Sequence, residues 1–546
     1  MTNGPSPGSL PRSDPRSSRG QALSPHAGRG EEEAANDLSP FFTGRGRERS
    51  ERVRGVFPLP LRERVPSDRQ IARRVRGKFS SIRNMYPSPG STSLTLGLAT
   101  LSRRCARPGA RKRGPGGRGK KPRDRTEDVK NQGEQVEMQM IQPATSLEGR
   151  SAIVLAVILG VLAPGLLVIA SQSTQVTAPL GFVLATGILA ATGRGPALGE
   201  ALRAEAAAPL GLALGVFLAW IMISAAWAPR PGYSLGVAGQ IALVAATGAL
   251  GLAAVPAALP RGGWRWLAVG VALAAVLALV ELRFGTPIRA LIGAKSKEFR
   301  LNHAAITLAV LAWPAAAALA LRGRQWLAAG LVALVAAVTL SSEAQASVLG
   351  VLAGGAALAL AWLLGRWAVW ASAGAMVALV AATPLLMARA GDLVPAAMHG
   401  VLKRSAWERI QIWHRFAEAV PDRWFAGHGL QASRDFADIR PIQLLPTEHF
   451  NPLSAGHTHN AVLQVWVELG AVGAALLAIL LVLVAGRIAG LPAASRGFAL
   501  ATFASLFAIA YVSHGAWQIW WLAAIALGAV WMRAVAEMEL PAGRSA

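Results

Sequence analysis

The sequence predicts an all-α fold: a polytopic transmembrane helical bundle of about twelve spans with one large loop outside the membrane. Three observations carry that expectation. Of the 546 residues, 53% are hydrophobic and only 16% charged, well outside the composition of an average soluble domain. Runs of about 20 apolar residues recur from Ser151 to Met532, the length a helix needs to cross roughly 30 Å of hydrocarbon. Within lipid, only helices or closed barrels satisfy every backbone N–H and C=O.

The composition divides sharply near Arg150. Residues 1–150 hold 30 of the 55 Lys and Arg and 15 of the 30 Asp and Glu, so they carry 15 of the 25 net positive charges. They contain none of the 17 Trp, and Arg-rich near-copies recur as ERVRG at Glu51–Gly55, RERV at Arg62–Val65 and RVRGK at Arg74–Lys78. The leader reads as a disordered basic segment, with Met138 or Met140 as a more ordinary membrane-protein start. Clustered Arg also suits phosphate polymers, but no nucleic-acid partner is expected. With no secretory signal peptide visible, the first span is expected to act as an uncleaved insertion signal. Cys105, the single cysteine, makes no intrachain disulfide.

The second unit, residues 151–546, is read as the membrane domain. Its expected spans are Ser151–Ser171, Val176–Ala191, Ala208–Trp227, Ser234–Val255, Trp264–Leu282 and Leu301–Leu321. Gln325–Ser341, Gln345–Trp362, Trp367–Met387, Asn460–Val484, Ser495–Val512 and Gly515–Met532 complete them. Cytoplasmic loops carry the excess of Lys and Arg. An inside N-terminus puts Arg194, Arg203, Arg261, Arg322, Arg324, Arg366, Arg487 and Arg496 in the cytoplasm and leaves only Arg230 in the short outside turns. Two longer segments then lie outside, residues 283–300 and 388–459. The first breaks the charge rule with Arg283, Arg289, Lys295, Lys297 and Arg300. A basic outside surface there suits an anionic headgroup or a pyrophosphate as well as it suits ordinary solvation.

The large loop opens with an amphipathic helix from Arg404, stopped by Pro421. Ala406, Ile410, Trp413, Ala417 and Val420 fall on its apolar face with Trp407 and Phe416 beside them, and Arg404, Glu408, Gln411, Arg415 and Glu418 lie opposite. Gly427-His428-Gly429 makes a turn where backbone can approach a ligand closely. The loop closes on Thr447, Glu448 and His449 and then His457-Thr458-His459-Asn460. No HExxH spacing or Cys pair accompanies these histidines, and Asp435 and Asp438 lack an adjacent carboxylate, so neither a metal nor another cofactor is expected. His457, Asn460, Gln464 and Glu468 repeat at three or four and share a helical face. Glu468, about 12 Å beyond Asn460 at 1.5 Å per residue, should face the bundle interior or a wet cavity. Asn302, His303, Glu343, Gln345, Ser513 and His514 stand at outside span ends and are candidates to line the same space.

These residues carry a resemblance. HTHNAVLQVWVELGAVG, from His457 to Gly473, resembles the signature of the O-antigen ligase and polymerase superfamily, and Arg404, Trp407, Pro421, Gly427 and Gly429 resemble its upstream block. FRLNHAAITLAVLAWP, from Phe299 to Pro314, is similar to the family's stretch before its middle spans, with His303 where an Arg is commoner. The resemblance implies a metal-independent glycosyltransferase of the bacterial inner membrane that acts at the periplasmic face. It would take an undecaprenyl-pyrophosphate-linked glycan as donor and a hydroxyl as acceptor, lipid A-core in lipopolysaccharide synthesis, another glycan for a polymerase or a protein hydroxyl for an oligosaccharyltransferase. It further implies His459 as base, His457 second and Asn460 orienting the base or the acceptor. Arg404, Arg409, Arg289 and Arg300 are the candidate cations for the donor phosphates, and Gln464 and Glu468 the further substrate-binding groups. A transporter is the competing class, although no matching halves or central cytoplasmic loop support it.

Overall fold

A computed structural model describes residues 147–260, 262–293, 301–394, 404–444 and 448–537, and among them every regular element is helical. The leader before Leu147 and the basic residues Arg261, Lys295, Lys297 and Arg300 lie outside the described residues. The helices, in order, are α1 (Leu147–Val157, prolonged by a π turn and Ala163–Leu166), α2 (Thr174–Ala191), α3 (Gly195–Ala207), α4 (Pro209–Ser224) and α5 (Pro231–Ala258). They continue with α6 (Trp264–Arg283), α7 (Pro287–Leu291), α8 (Asn302–Ala320), α9 (Gln325–Ser341), α10 (Gln345–Leu364) and α11 (Arg366–Ala388). The described residues end on α12 (Arg404–Ala417), α13 (Phe436–Ile439), α14 (Ala461–Ala489), α15 (Ala493–Val512) and α16 (Ile519–Glu537).

Eleven of the described helices are long and apolar enough to cross a membrane, and α9, at 17 residues, is a shorter apolar twelfth. Each expected span has its helix. α8 is the centre: 89% of its apolar window is buried inside the protein, against 22% for α4 and α10. Its sequence explains this, because Ala, Leu and Val occur on every face and a helix apolar all round belongs inside. α6, α9, α10, α15 and α16 pack around it.

One element was not expected. The segment read as a cytoplasmic loop after the second span contains α3, started by Pro196 in its first turn. Its Glu205 pairs with Arg487 of α14 at 3.1 Å and with Arg533 of α16 at 3.2 Å, and its Leu198 is buried in the bundle core with Leu202 packed against it.

The large loop folds into a cap with its own core. Ile412, Phe416 and Val420 from α12 and the turn after it pack with Ala432, Phe436, Leu453, Leu463 and Val467. The Phe416 and Phe436 rings lie 5.2 Å apart. Arg415, expected on the solvated face, is buried: Glu448 takes its guanidinium in a two-pronged contact at 2.7 Å on each prong, and the Gln443 carbonyl accepts a third bond. The Glu448 carboxylate raises the Arg415 pKa further above its ordinary value. Removing one partner of such a pair strands a buried charge at a cost of about 3 to 5 kcal/mol. Arg415→Ala should therefore lower the thermal unfolding temperature clearly, and an unchanged temperature would show that the cap does not depend on this pair.

The sequence reads α14 as one continuous helix, but Gly470 breaks it with φ 67° and ψ −163°. Ala471 and Val472 turn their N–H groups to the carbonyls of Trp424 and Phe425. The carbonyls left over are taken in kind: Val467 by the His428 N–H, Glu468 by the Gly429 N–H, and Leu469 by the Trp220 indole. The Gly-His-Gly turn is thus inserted into a gap in a span, and its close backbone approach is to another part of this chain. Irregular backbone at this depth persists only when other parts of the protein satisfy it. A milder example sits on α11, where Pro384 leaves the Val380 carbonyl without its helical donor and the Trp466 indole of α14 donates to it at 2.8 Å.

Candidate active site

Asn460 starts α14. Its side-chain oxygen accepts from the Leu463 N–H at 2.9 Å and its nitrogen meets Met387 Sδ at 3.6 Å. It is fully buried, and its carboxamide oxygen caps the helix. Because α14 begins at Ala461, His457 lies ahead of the helix and not on its face. It reaches the same neighbourhood by another route: a side chain on Gly515 would meet both His457 Cδ2 and Gln464 Oε1 at 3.1 Å.

His459 is the one residue of the closing motif with a strained backbone, at φ 51°. Such a conformation costs a non-glycine residue about 1 to 2 kcal/mol and marks a place held by its surroundings. Those surroundings are explicit. The Trp413 indole donates to the His459 carbonyl at 3.4 Å. Its Nδ1 faces the Ser513 carbonyl at 3.2 Å, and the His457 ring lies 4.1 Å away. A carbonyl only accepts, so Nδ1 carries the hydrogen and Nε2 keeps its lone pair. Burial, then the Arg409 charge, lower the His459 pKa. Burial, then the His459 imidazole, push His457 down to about 3.

Two further histidines join this end of the bundle. His514 is buried with its Nε2 unpartnered, and His303 lies over Trp520 with ring centroids 4.1 Å apart. Burial, followed by His303, His457, His459 and Arg409, holds His514 well below the ordinary imidazole range. Arg409 therefore acts on three histidines from α12, and its own pKa is lowered by burial. Beside it runs an apolar groove of about 380 Å³ lined by Leu349, Leu393, Ala406, Ile410, Trp413 and Val512.

The remaining sequence candidates lie elsewhere. Arg404 is exposed and pairs with Glu408 one turn on, at 2.8 Å. Arg289 is turned inward, 2% exposed, with Nε donating to the Val168 carbonyl and standing 3.7 Å from the Glu281 carboxylate. It is buried rather than exposed on the outside surface. His428 bonds the Ala419 carbonyl and packs edge-on against Phe436, and His449 is exposed. Gln464 and Glu468 are buried as expected, but their hydrogen bonds go to protein groups from three segments. Among the described residues, no group of three His, Cys, Asp or Glu is arranged to hold a metal ion. Trp413 was not readable as a site group, since tryptophan in an amphipathic helix reads as packing, and Ser513, expected to line this space, meets His459 through its carbonyl, which has no sequence signal.

Fold and site together define a multi-pass membrane protein with a cluster of buried histidines, on which the Arg409 charge acts, beside the folded large loop. Residues 329–478 match the family described as O-antigen ligase, and the chain carries that domain from within α9 to the middle of α14. The match includes Arg409, His457, His459, Gln464 and Glu468. The Rickettsia felis protein named "Putative polysaccharide ligase" is 25% identical over 313 residues, covering 56% of this chain and 76% of the relative. The protein of the same name from Rickettsia bellii is 30% identical over 122 residues, 22% of this chain and 29% of its own length. A Rickettsia conorii relative is 30% identical over 121 residues, with the same two shares.

Proposed function

We propose that this protein is a glycosyltransferase of the O-antigen ligase type, moving a glycan from undecaprenyl pyrophosphate to a hydroxyl of lipid A-core at the periplasmic face of a bacterial inner membrane. The observation that carries the reading is the contact of His459 Nδ1 with the Ser513 carbonyl, which leaves Nε2 as the basic atom, in a cluster on which the Arg409 charge acts. The acceptor hydroxyl attacks the anomeric carbon, the bond from that carbon to the phosphate oxygen breaks, and the hydroxyl proton passes to Nε2. The pyrophosphate leaves on its lipid carrier. Arg409, whose charge acts on these imidazoles, meets the developing charge, and the apolar groove beside it suits the carrier's hydrocarbon. No metal enters this scheme.

Purified protein incubated with a lipid-linked glycan and lipid A-core, with and without a chelator, tests it directly. Transfer that survives chelation is expected. Elongation of the donor glycan with no product on lipid A-core would replace the ligase with a polymerase, and vectorial uptake without transfer would replace it with a transporter.

The orientation has its own test. With Cys105 replaced by Ser, a cysteine at exposed Asp422 of the cap should react with an impermeant maleimide from the periplasm. One at exposed Arg324, between α8 and α9, should react only after the membrane is opened. The reverse pattern would invert the topology and take the pocket away from its donor.

A further inference from the structure

We propose that Gln464 and Glu468 are positioning residues for His459, acting through the segment that supplies the Ser513 carbonyl. The inference rests on the reading of His459 as the base. Ser513 lies between α15 and α16, and nothing in its own sequence fixes where its carbonyl points. The two side chains of α14 grip the residues that follow it. Gln464 Oε1 accepts from the Ala516 N–H at 2.8 Å, and Glu468 Oε2 accepts from the Trp517 indole at 2.7 Å. Gln464 Nε2 donates to Glu468 Oε1 at 2.8 Å and locks the pair together.

The direction of every bond is fixed. Ala516 offers only a donor, so Gln464 must turn its oxygen there and its nitrogen to the carboxylate; flipping the amide would set donor against donor and acceptor against acceptor. Glu468 meets N–H groups on all sides, the other two being the backbones of Gln431 at 2.6 Å and Ser433 at 3.4 Å. One buried carboxylate therefore ties the cap, α14 and the Ser513 segment into a unit. Space favours the same register: a side chain at Gly515 would stand 3.1 Å from both Gln464 Oε1 and the His457 ring, tighter than ordinary contact. A shift of this segment would move the Ser513 carbonyl away from His459 Nδ1 and release both the tautomer and the ring. Misplacement by about 1 Å can cost on the order of 100-fold in rate.

The test is an exchange of the two side chains. Glu468→Gln alone sets one amide donor against another and should lower kcat about 10-fold or more, with KM for donor and acceptor unchanged. Gln464→Glu combined with Glu468→Gln restores an acceptor for Ala516, an acceptor for Trp517 and a donor between them, and should recover most of kcat. Trp517→Phe removes a single indole N–H while keeping an aromatic ring, and should give a smaller loss, again in kcat. Thermal unfolding of each purified variant identifies any that fail to fold; for those, Trp517→Phe decides. Unchanged kcat in Glu468→Gln and Trp517→Phe, a loss confined to KM, or an exchanged pair no better than the single variant would overturn the proposal. His459→Ala run in parallel separates the two readings. Full transfer there removes the base itself, whereas an inactive His459→Ala beside an indifferent Glu468→Gln removes only the positioning.

Discussion

Replacing His459 by Ala is expected to lower transfer by roughly 100-fold or more, the range for losing a positioned acid-base group, while the protein still inserts and folds. His459→Asn separates chemistry from strain, because Asn tolerates the left-handed backbone better than most residues yet cannot take the proton. It should be as inactive as the Ala variant. His457→Ala should do less, since its ring neighbours the base without sharing its carbonyl. The pH dependence follows from burial and from the neighbouring charges, which hold both imidazoles below their ordinary range. The folded protein keeps them neutral at pH values where an unfolded chain, with pKa near 6.5, begins to bind protons. Their contribution to stability is complete above about pH 6.5 and is lost as pH falls through that value toward the folded pKa. The acid limb of transfer should accordingly lie below pH 6.5. A limb at or above that value, unmoved in His459→Asn, would assign the base to another group.

The second large effect concerns the break in α14. Gly470→Ala should deplete the folded protein, because φ 67° with ψ −163° is a region essentially reserved for glycine and costs other residues about 1 to 3 kcal/mol. The added carbon would also stand 2.3 Å from the Phe425 carbonyl oxygen and 2.6 Å from the Gly427 nitrogen. Those contacts are backbone and cannot swing aside, so overpacking adds about 1 to 3 kcal/mol more. Gly427→Ala meets the Glu468 carbonyl at 2.4 Å from the other side and should behave alike. Gly323→Ala is the control: its φ of 74° is equally left-handed, but nothing lies within 4 Å. It should lose only about 1 to 2 kcal/mol of backbone strain. Equal unfolding temperatures for the Gly470 and Gly323 variants would show that the inserted turn is not what holds the break open.

Much of the site was legible because its signals are local. The His-x-His-Asn group stands before an apolar run, and Gln464 and Glu468 follow at helical spacing inside it. Asn460 carries a local signal of a different kind from the one expected of it, because an Asn just before a helical run is a capping residue, and capping is what its side chain does. Arg415 illustrates the limit of a helical wheel, which assigns a face but cannot see a carboxylate 33 residues away. α3 escaped because its apolar contribution is small, Leu198 buried with Leu202 beside it, and the partners of its Glu205 come from distant segments.

By itself the sequence determined the number of spans, the amphipathic helix over them and the motif at the mouth of α14. Each depends on composition and period within one segment, and the demand that lipid makes on a helix is met or missed within that segment. Only the tertiary structure decided that α14 breaks at Gly470. A glycine in an apolar run is ordinary in membrane helices, and the break exists because Trp220, His428 and Gly429 arrive from distant segments with donors for the freed carbonyls. The His459 tautomer is of the same kind. It is set by a backbone carbonyl 54 residues away, held in place by Gln464 and Glu468, and a hydrogen bond to a carbonyl leaves no trace in the identity of the residue that supplies it.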